Sequence, residues 1–148
     1  MERSIIKQIA YLDHSIKKYI GRQNDLRNVF NLTQFQIVLY LLKHQGEDVC
    51  QKDLEKETHL KKASITNCID ALVQRGYVYR ETAECDRRMN YIRLSEKTKE
   101  YADELGRSSK ELDRRIAENI SEEDLEAFFR VGDIIIRNIR EAEYETDI

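Results

Sequence analysis

The chain has 148 residues, no proline, five glycines and a formal net charge of −3. This length predicts one domain with its own core, and the lack of helix breakers predicts a mainly α fold. No apolar run approaches the roughly 18 residues that a membrane span requires, so we expect a cytoplasmic protein with no membrane partner. Three widely spaced cysteines and three scattered histidines argue against a disulfide framework or a metal site, and we expect no cofactor.

Charge is distributed unevenly along the chain. Residues 1–49 carry seven basic and five acidic residues, and residues 50–94 carry nine and seven. Residues 95–148 carry nine basic and sixteen acidic residues, so the acidic excess lies in the C-terminal third. The net negative charge is therefore compatible with a nucleic-acid-binding surface in the middle of the chain.

Two helices are predicted in the first third of the chain. Apolar residues recur at three- and four-residue steps from Ile5 to Ile20, which predicts an amphipathic helix that fades near residues 21–31. Thr33 and Gln36 form a capping-box pattern, so the second helix is predicted to start at Thr33 and to end near Gly46.

The middle of the chain combines short helices with a hairpin. A third helix is predicted over residues 51–58 and a fourth over residues 62–75, with Gly76 as the C′ residue of the fourth. Aromatic and β-branched residues predict strands over residues 77–81 and 90–94, which bracket a polar tip. This order predicts a winged helix-turn-helix.

The last third is predicted to hold two amphipathic helices. One runs from about Ser95 through Ile116, and Ser121 with Asp124 caps a second that continues through Ile139. A small winged-helix core cannot cover the apolar stripes of these helices and of the first helix, whereas a second subunit can. We therefore interpret the 148 residues as one protomer, with a DNA-binding region over residues 32–94 and helical dimerisation segments over residues 1–31 and 95–148.

Five segments of the chain carry a resemblance to a known family: LTQFQ at 32–36, QKDL at 51–54, KASITN at 62–67, RGYVYR at 75–80, and DRR at 86–88 followed by IRLSEK at 92–97. Through these segments the chain resembles the MarR family of transcriptional regulators over nearly its whole length. In this order and spacing they are specific, although each alone is weak. The resemblance implies a homodimer with intertwined first, fifth and sixth helices, a fourth helix in the major groove and a wing arginine in the adjacent minor groove.

The chain departs from the family pattern at three positions. Lys61 stands where the family usually has a Ser or Thr cap, Cys50 where a Ser or Thr would begin the third helix, and Thr98 where a Gly often follows the lysine. None of these changes breaks the fold, but the first two alter the chemistry near DNA.

The outward face of the fourth helix is predicted to read bases. Asn67 can pair with adenine, and the hydroxyls of Ser64 and Thr66 can meet bases or phosphates. An ordinary solvated helix face is the alternative. Asp70 lies on the same face, where its carboxylate would repel phosphates, so we expect it to turn away or to pair with a basic neighbour in its own subunit.

Further DNA contacts are predicted from charge and from the resemblance. Arg88 occupies the second arginine position of the family's Asp-x-Arg pattern and suits a narrow minor groove, with Asp86 orienting it through an ion pair. A solvated hairpin tip is the alternative. Phosphate-positioning roles are assigned to Gln51, Lys52, Lys61 and Lys62. The full predicted set is Gln51, Lys52, Lys61, Lys62, Ser64, Thr66, Asn67, Asp86, Arg87 and Arg88.

The resulting hypothesis is a homodimeric repressor that binds a palindromic operator in double-stranded DNA and is released by a small aromatic or phenolic effector. An effector pocket is expected where the first, second and fifth helices meet the winged domain, with Tyr11, His14 and Lys18 as candidate linings. The sequence shows no phosphate loop, nucleophile elbow or paired histidine, so we do not expect an enzyme. Two alternatives stay open: a repressor that senses oxidation through a cysteine, and a winged helix that binds only protein.

The three cysteines differ in their predicted environments. Cys68 lies on the apolar face of the fourth helix and is predicted to be a small core residue. Cys50 is predicted at a helix N-terminus, where a thiol gains thiolate character, so together with Cys85 it is a candidate sensor under the redox alternative.

Overall fold

The computed structural model describes residues 2–22 and 29–146. In chain order, the elements are α1 (Ile5–Arg22), α2 (Leu32–Lys43), α3 (Gln51–Thr58), α4 (Lys62–Gln74), β1 (Val78–Thr82), β2 (Asn90–Leu94), α5 (Glu96–Lys99), α6 (Ala102–Ile116) and α7 (Glu122–Thr146). The mainly α class and the winged helix-turn-helix are as predicted. Two compact units meet in sequence between Ser109 and Lys110.

The first helix extends to Arg22, and residues 23–28, which form most of the predicted break after it, lie outside the described residues. No helix in the described ranges is long and apolar enough to cross a membrane.

The start of α2 differs from the prediction. Asn31, rather than Thr33, is the N-cap residue: its Oδ1 accepts the Gln34 N–H over 2.8 Å, and Gln34 Oε1 accepts the Asn31 N–H over 3.1 Å. The Arg75 guanidinium also donates to Gln34 Oε1, over 3.3 Å. Asn is a strong N-cap residue, and this tertiary contact further favours Gln34 as the reciprocal partner. The prediction of Thr33 as the cap was wrong.

Helices α3 and α4 begin where the sequence places them, and α4 ends in a Schellman motif. Gly76 has a φ of +78°, in the left-handed region that favours glycine. Its N–H donates to the Val73 carbonyl and the Tyr77 N–H donates to the Leu72 carbonyl, both over 3.0 Å. The predicted role of Gly76 is confirmed, and this motif turns the chain directly into the wing.

The wing is an antiparallel hairpin in which Val78 pairs with Leu94 and Thr82 pairs with Asn90. The segment before α3 extends this sheet, because the Ile92 N–H donates to the Val49 carbonyl over 2.7 Å and an isolated bridge joins Cys50 to Tyr91. The base of the wing is therefore attached to the loop between α2 and α3.

The core of the first unit lies between the three helices of the winged motif and the inner face of the hairpin. Its fully buried side chains come from different elements and include Ile37, Val38, Leu54, Ile65, Ile69 and Leu72. Ile92 and Leu94 of β2 belong to the same cluster. Burial of these side chains from water is the main free-energy term that holds the helices and the wing together.

The single long helix predicted from Ser95 is interrupted. It forms the short helix α5, a turn at residues 100–101, and then α6. Ser95 Oγ donates to the Gly76 carbonyl over 2.7 Å, and the buried Thr98 donates from Oγ1 to the Tyr77 carbonyl over 2.7 Å. These bonds fix α5 against the α4–β1 turn, which is a tertiary constraint that helical periodicity does not report.

Helix α7 dominates the second unit and starts at the predicted cap. The Asp124 N–H donates to Ser121 Oγ over 3.1 Å, as the sequence indicates. None of the residues of α7 that the structure describes is buried. Many of its large apolar side chains are exposed, including Phe128, Phe129, Val131, Ile134 and Ile139.

Candidate nucleic-acid interface

Two of the predicted DNA-binding side chains join α3 to α4. Gln51 Nε2 donates to Thr66 Oγ1 over 2.7 Å, and the Thr66 hydroxyl donates to the Lys62 carbonyl over 2.9 Å. Both side chains are half-buried. Because their hydrogen bonds are made within the protein, Gln51 and Thr66 are suited to fixing the angle between the two helices.

Other predicted side chains are exposed at the start of α4 and on α3. Lys61 is the N-cap residue of α4 and makes no side-chain cap, so it does not satisfy the first N–H groups of the helix. Lys61 and Lys62 are both exposed. Ser64 and Asn67 are exposed on α4, and Lys52 is exposed on α3. The positive helix terminus and the lysines together favour an anion such as a phosphate.

Asp70 pairs with a basic residue of its own subunit, as expected. Its Oδ1 accepts from Arg80 Nη2 on β1 over 2.5 Å, and the two side chains are 56% and 30% exposed. This pair offsets the negative charge on the outward face of α4. It also links that helix to the wing.

The wing tip presents two exposed arginines, Arg87 and Arg88. Asp86 Oδ1 accepts the Arg88 N–H over 3.0 Å, while Arg88 Nε lies 3.9 Å from the same oxygen. Asp86 therefore orients the backbone of Arg88 more closely than its guanidinium. The Arg88 side chain is 97% exposed, which leaves its donors available to a partner.

Arg93 on β2 is a residue of this surface that the sequence interpretation missed. It donates to three acceptors: Nε to Glu81 Oε2 over 2.8 Å, Nη1 to the Glu47 carbonyl over 2.8 Å, and Nη2 to Asp48 Oδ1 over 2.5 Å. The hydrogen bonds to Asp48 and Glu81 raise the pKa of Arg93 above its ordinary value. Alternation along β2, which places Tyr91 and Arg93 on one face beside Glu81, is the sequence signal that indicates part of this cluster.

A second cationic cluster holds the turn between α4 and β1. Arg75 donates from Nη2 to the Val29 carbonyl over 2.5 Å, and its guanidinium lies 5.1 Å from the centre of the Tyr77 ring. Lys97 Nζ lies 4.3 Å from the same ring, and Phe30 packs edge-on against it at 4.8 Å. Arg75 and the residues that follow it therefore join α4 to α5 and to the start of α2.

The cysteines lie in three different settings. Cys68 packs against the core, and burial raises the pKa of its thiol. Cys50 is the N-cap residue of α3, where its N–H and its thiol donate to Asp53 Oδ2 over 2.9 Å and 3.3 Å. The exposed Cys85 lies with its Sγ 3.8 Å from the Tyr91 hydroxyl. The core position of Cys68 agrees with its prediction, although the residue is only half-buried.

A cavity of about 620 Å³ lies between α1 and the start of α2. Lys17 and Ile20 of α1, residues 29–34 and Arg75 line it. Tyr11, His14 and Lys18, the candidate linings suggested by the sequence, are not among them. Across residues 2–22 and 29–146, no group of three or more His, Cys, Asp or Glu side chains is placed to hold a metal ion.

Comparison with known proteins gives matches in sequence and in fold. A model of the MarR family matches residues 30–89. An uncharacterized HTH-type transcriptional regulator of Bacillus subtilis (strain 168), YwhA, is 26% identical over 126 residues, which cover 81% of this chain and 88% of that protein.

Two solved structures share the fold over almost their whole length. The transcription regulator MarR of Oenococcus oeni PSU-1 has a TM-score of 0.78 at 16% identity, with 90% of this chain and 99% of that chain covered. S. aureus MepR, in complex with DNA, has a TM-score of 0.78 at 18% identity, with 93% and 99% covered. The chain is therefore similar to the MarR family over residues 30–89, and it shares its fold with these two regulators.

Proposed function

We propose that the protein is a sequence-specific regulator of transcription that binds double-stranded DNA. One observation carries this proposal: a single compact unit presents two separate cationic points, the exposed start of α4 and the wing tip with Arg88. A helix fits the major groove of a duplex, and an arginine on a hairpin suits a narrow minor groove. The fold shared with MepR, whose structure contains DNA, supports the same function.

The predicted residues then divide into three roles. Ser64 and Asn67 read base edges in the major groove, and Arg88 enters the minor groove. Phosphates are contacted by Lys52, Lys61, Lys62 and Arg87, which contribute affinity without sequence information. Gln51, Thr66 and Asp86 position these groups, since their side chains are hydrogen-bonded within the protein.

The functional form is a homodimer. Helix α7 has no buried residue, and α1 exposes Ile5, Ile6 and Ile9 as well. An exposed apolar helix face marks an interaction site, and a two-fold pair of identical chains is the commonest way to cover such faces. A two-fold dimer presents two reading helices to a palindromic operator.

Regulation is by release from the operator, which makes the protein a repressor that a small effector inactivates. The cavity between α1 and α2 is the candidate effector site, because Phe30 and Ile20 offer apolar contacts while Lys17 and Arg75 offer positive charge. This lining suits a small aromatic molecule that carries an acidic or phenolic group. Such a molecule releases DNA if it binds the form unable to span both half-sites more tightly.

Selection from a random duplex library followed by a salt titration tests the function. We expect one enriched sequence with inverted repeats, and an affinity for it that falls with a log-log slope near −0.9 for each phosphate contacted. A protein without duplex binding, or with binding that does not depend on sequence, would contradict the proposal. The first result would favour the winged helix as a protein-binding module.

A further inference from the structure

The wing is attached to the rest of its unit by few backbone hydrogen bonds. Apart from the turn that follows α4, the Ile92 N–H bond to the Val49 carbonyl and the Cys50–Tyr91 bridge join the hairpin to the segment before α3. A two-stranded hairpin is marginal by itself, so its direction depends on side-chain contacts at its base.

Besides the buried Ile92 and Leu94, Arg93 contributes three side-chain hydrogen bonds at the base of the wing. Its guanidinium reaches across the hairpin to Glu81 on β1 and away from the hairpin to Asp48 and the Glu47 carbonyl in the loop between α2 and α3. It also lies 5.2 Å from the centre of the Tyr91 ring. Because a guanidinium is planar and its donors have fixed directions, three such bonds constrain the angle between the hairpin and the loop.

Arg93 is poorly placed to contact a phosphate itself. Its side chain is 24% exposed, against 97% for Arg88, and Nε, Nη1 and Nη2 each already have an acceptor in the protein. The carboxylates of Asp48 and Glu81 also neutralise its charge locally. Its contribution to DNA binding must therefore pass through the geometry of the wing.

We propose that Arg93 is a positioning residue that aims the wing, so that Arg88 reaches the minor groove while α4 occupies the major groove. The inference rests on the proposed DNA binding and adds a specific residue to it. Arg93 acts through Arg88, and Asp48 and Glu81 anchor it.

The role of the Arg93 hydrogen bonds in holding the wing is tested first in the free protein. Amide hydrogen exchange is compared in the wild-type protein, Arg93→Ala and Arg114→Ala, the last being a matched control that removes an arginine ion pair on α6. We expect Arg93→Ala to accelerate exchange at Ile92 and along β1 by about tenfold or more while the amides of α2 keep their rates. Unchanged exchange in the wing would show that Arg93 does not hold the wing in place and would overturn the inference.

The effect on binding is tested by a double-mutant cycle on the duplex that the wild-type protein selects. We expect Arg93→Ala to weaken binding by about tenfold alone, and by less than about twofold when Arg88 is already Ala. Equal losses in the two backgrounds would show that Arg93 does not act through Arg88. Arg93→Lys, which keeps the charge but not the planar fork, is expected to recover only part of the affinity.

Asp48→Ala separates positioning from simple electrostatics, because the two predict opposite signs. Removing a negative charge should strengthen DNA binding if charge alone matters, whereas loss of an Arg93 anchor should weaken it by about three- to fivefold. Tighter or unchanged binding would overturn the inference. A wild-type protein that binds no duplex would instead overturn the proposed function and, with it, the role of Arg93 in DNA binding.

Discussion

The side-chain amide of Gln51 and the hydroxyl of Thr66 lie 2.7 Å apart and connect α3 to α4. This bond gives both residues a structural role within the proposed DNA-binding surface. We expect Thr66→Val to lower the free energy of unfolding by about 1 kcal/mol, because the Gln51 amide loses an acceptor in a half-buried site. Urea denaturation measures the change, and Thr66→Ser, which keeps the hydroxyl, should recover most of it.

Arg88 should matter for binding and not for folding. We expect Arg88→Ala to weaken operator binding by at least about tenfold, since a minor-groove arginine contributes only in the complex. The midpoint of thermal unfolding should stay unchanged, because the side chain is 97% exposed and makes only a long ion contact with Asp86. Fluorescence anisotropy gives the affinity, with Lys43→Ala, which removes an exposed cation outside the predicted contact set, as the control. Unaltered affinity would contradict the assignment of Arg88 to the minor groove.

The lysines at the start of α4 should contribute affinity without specificity. Lys62→Ala is expected to reduce the magnitude of the log-log salt slope by about 0.9 for each half-site, because one phosphate contact is lost. Selected and scrambled duplexes should lose affinity by similar factors. A loss confined to the selected duplex would assign Lys62 to base reading instead.

Asn67 should show the opposite behaviour. We expect Asn67→Ala to reduce the preference for one base pair in each half-site by about 1 to 3 kcal/mol while the salt slope stays unchanged. Competition between the selected duplex and single-substitution duplexes measures this preference. If every substitution costs the variant as much as it costs the wild-type protein, Asn67 does not read a base.

Helix α7 should be required for dimerisation. Deleting residues 121–148 removes its exposed apolar face, and we expect a monomer by light scattering that has also lost operator binding. The two losses should coincide because each half-site is weak alone and two linked reading helices bind far more tightly. Circular dichroism checks that the winged helix-turn-helix stays folded. A truncated protein that remains dimeric would place the interface elsewhere.

The response of operator binding to hydroperoxide distinguishes control by a small effector from control by cysteine oxidation. We expect hydroperoxide to leave operator binding unchanged in the wild-type protein and in the variant in which Cys50 and Cys85 are both serine. The Cys50 thiol donates to Asp53, and Cys68 packs against the core. Release of the wild-type protein alone by oxidation would make these cysteines the sensor and overturn the effector model.

Much of the winged region could be predicted because its signals are local. Helix α3 runs from Gln51 to Thr58 as its pattern indicates, and Gly76 ends α4 because only a residue without a Cβ adopts its positive φ without strain. The alternation of β2 and the hydroxyl of Ser121 as a cap depend in the same way on neighbours within a few residues. The exposed positions of Asn67 and Arg88 also follow from helix and hairpin geometry.

The remaining features were decided by contacts between residues far apart in sequence. Two possible capping boxes overlap at the start of α2, Asn31 with Gln34 and Thr33 with Gln36. The guanidinium of Arg75 donates to Gln34 and so favours the first. The Thr98 hydroxyl holds α5 against the α4–β1 turn by donating to the Tyr77 carbonyl. The Arg93 guanidinium donates to Glu47 and Asp48, which lie 46 and 45 residues earlier in the chain. The sequence alone determined which residues form helices and strands, because periodicity and capping are local. Only the tertiary structure decided which polar side chains of the proposed DNA-binding surface are paired within the protein and which are exposed, since that depends on partners brought together by folding.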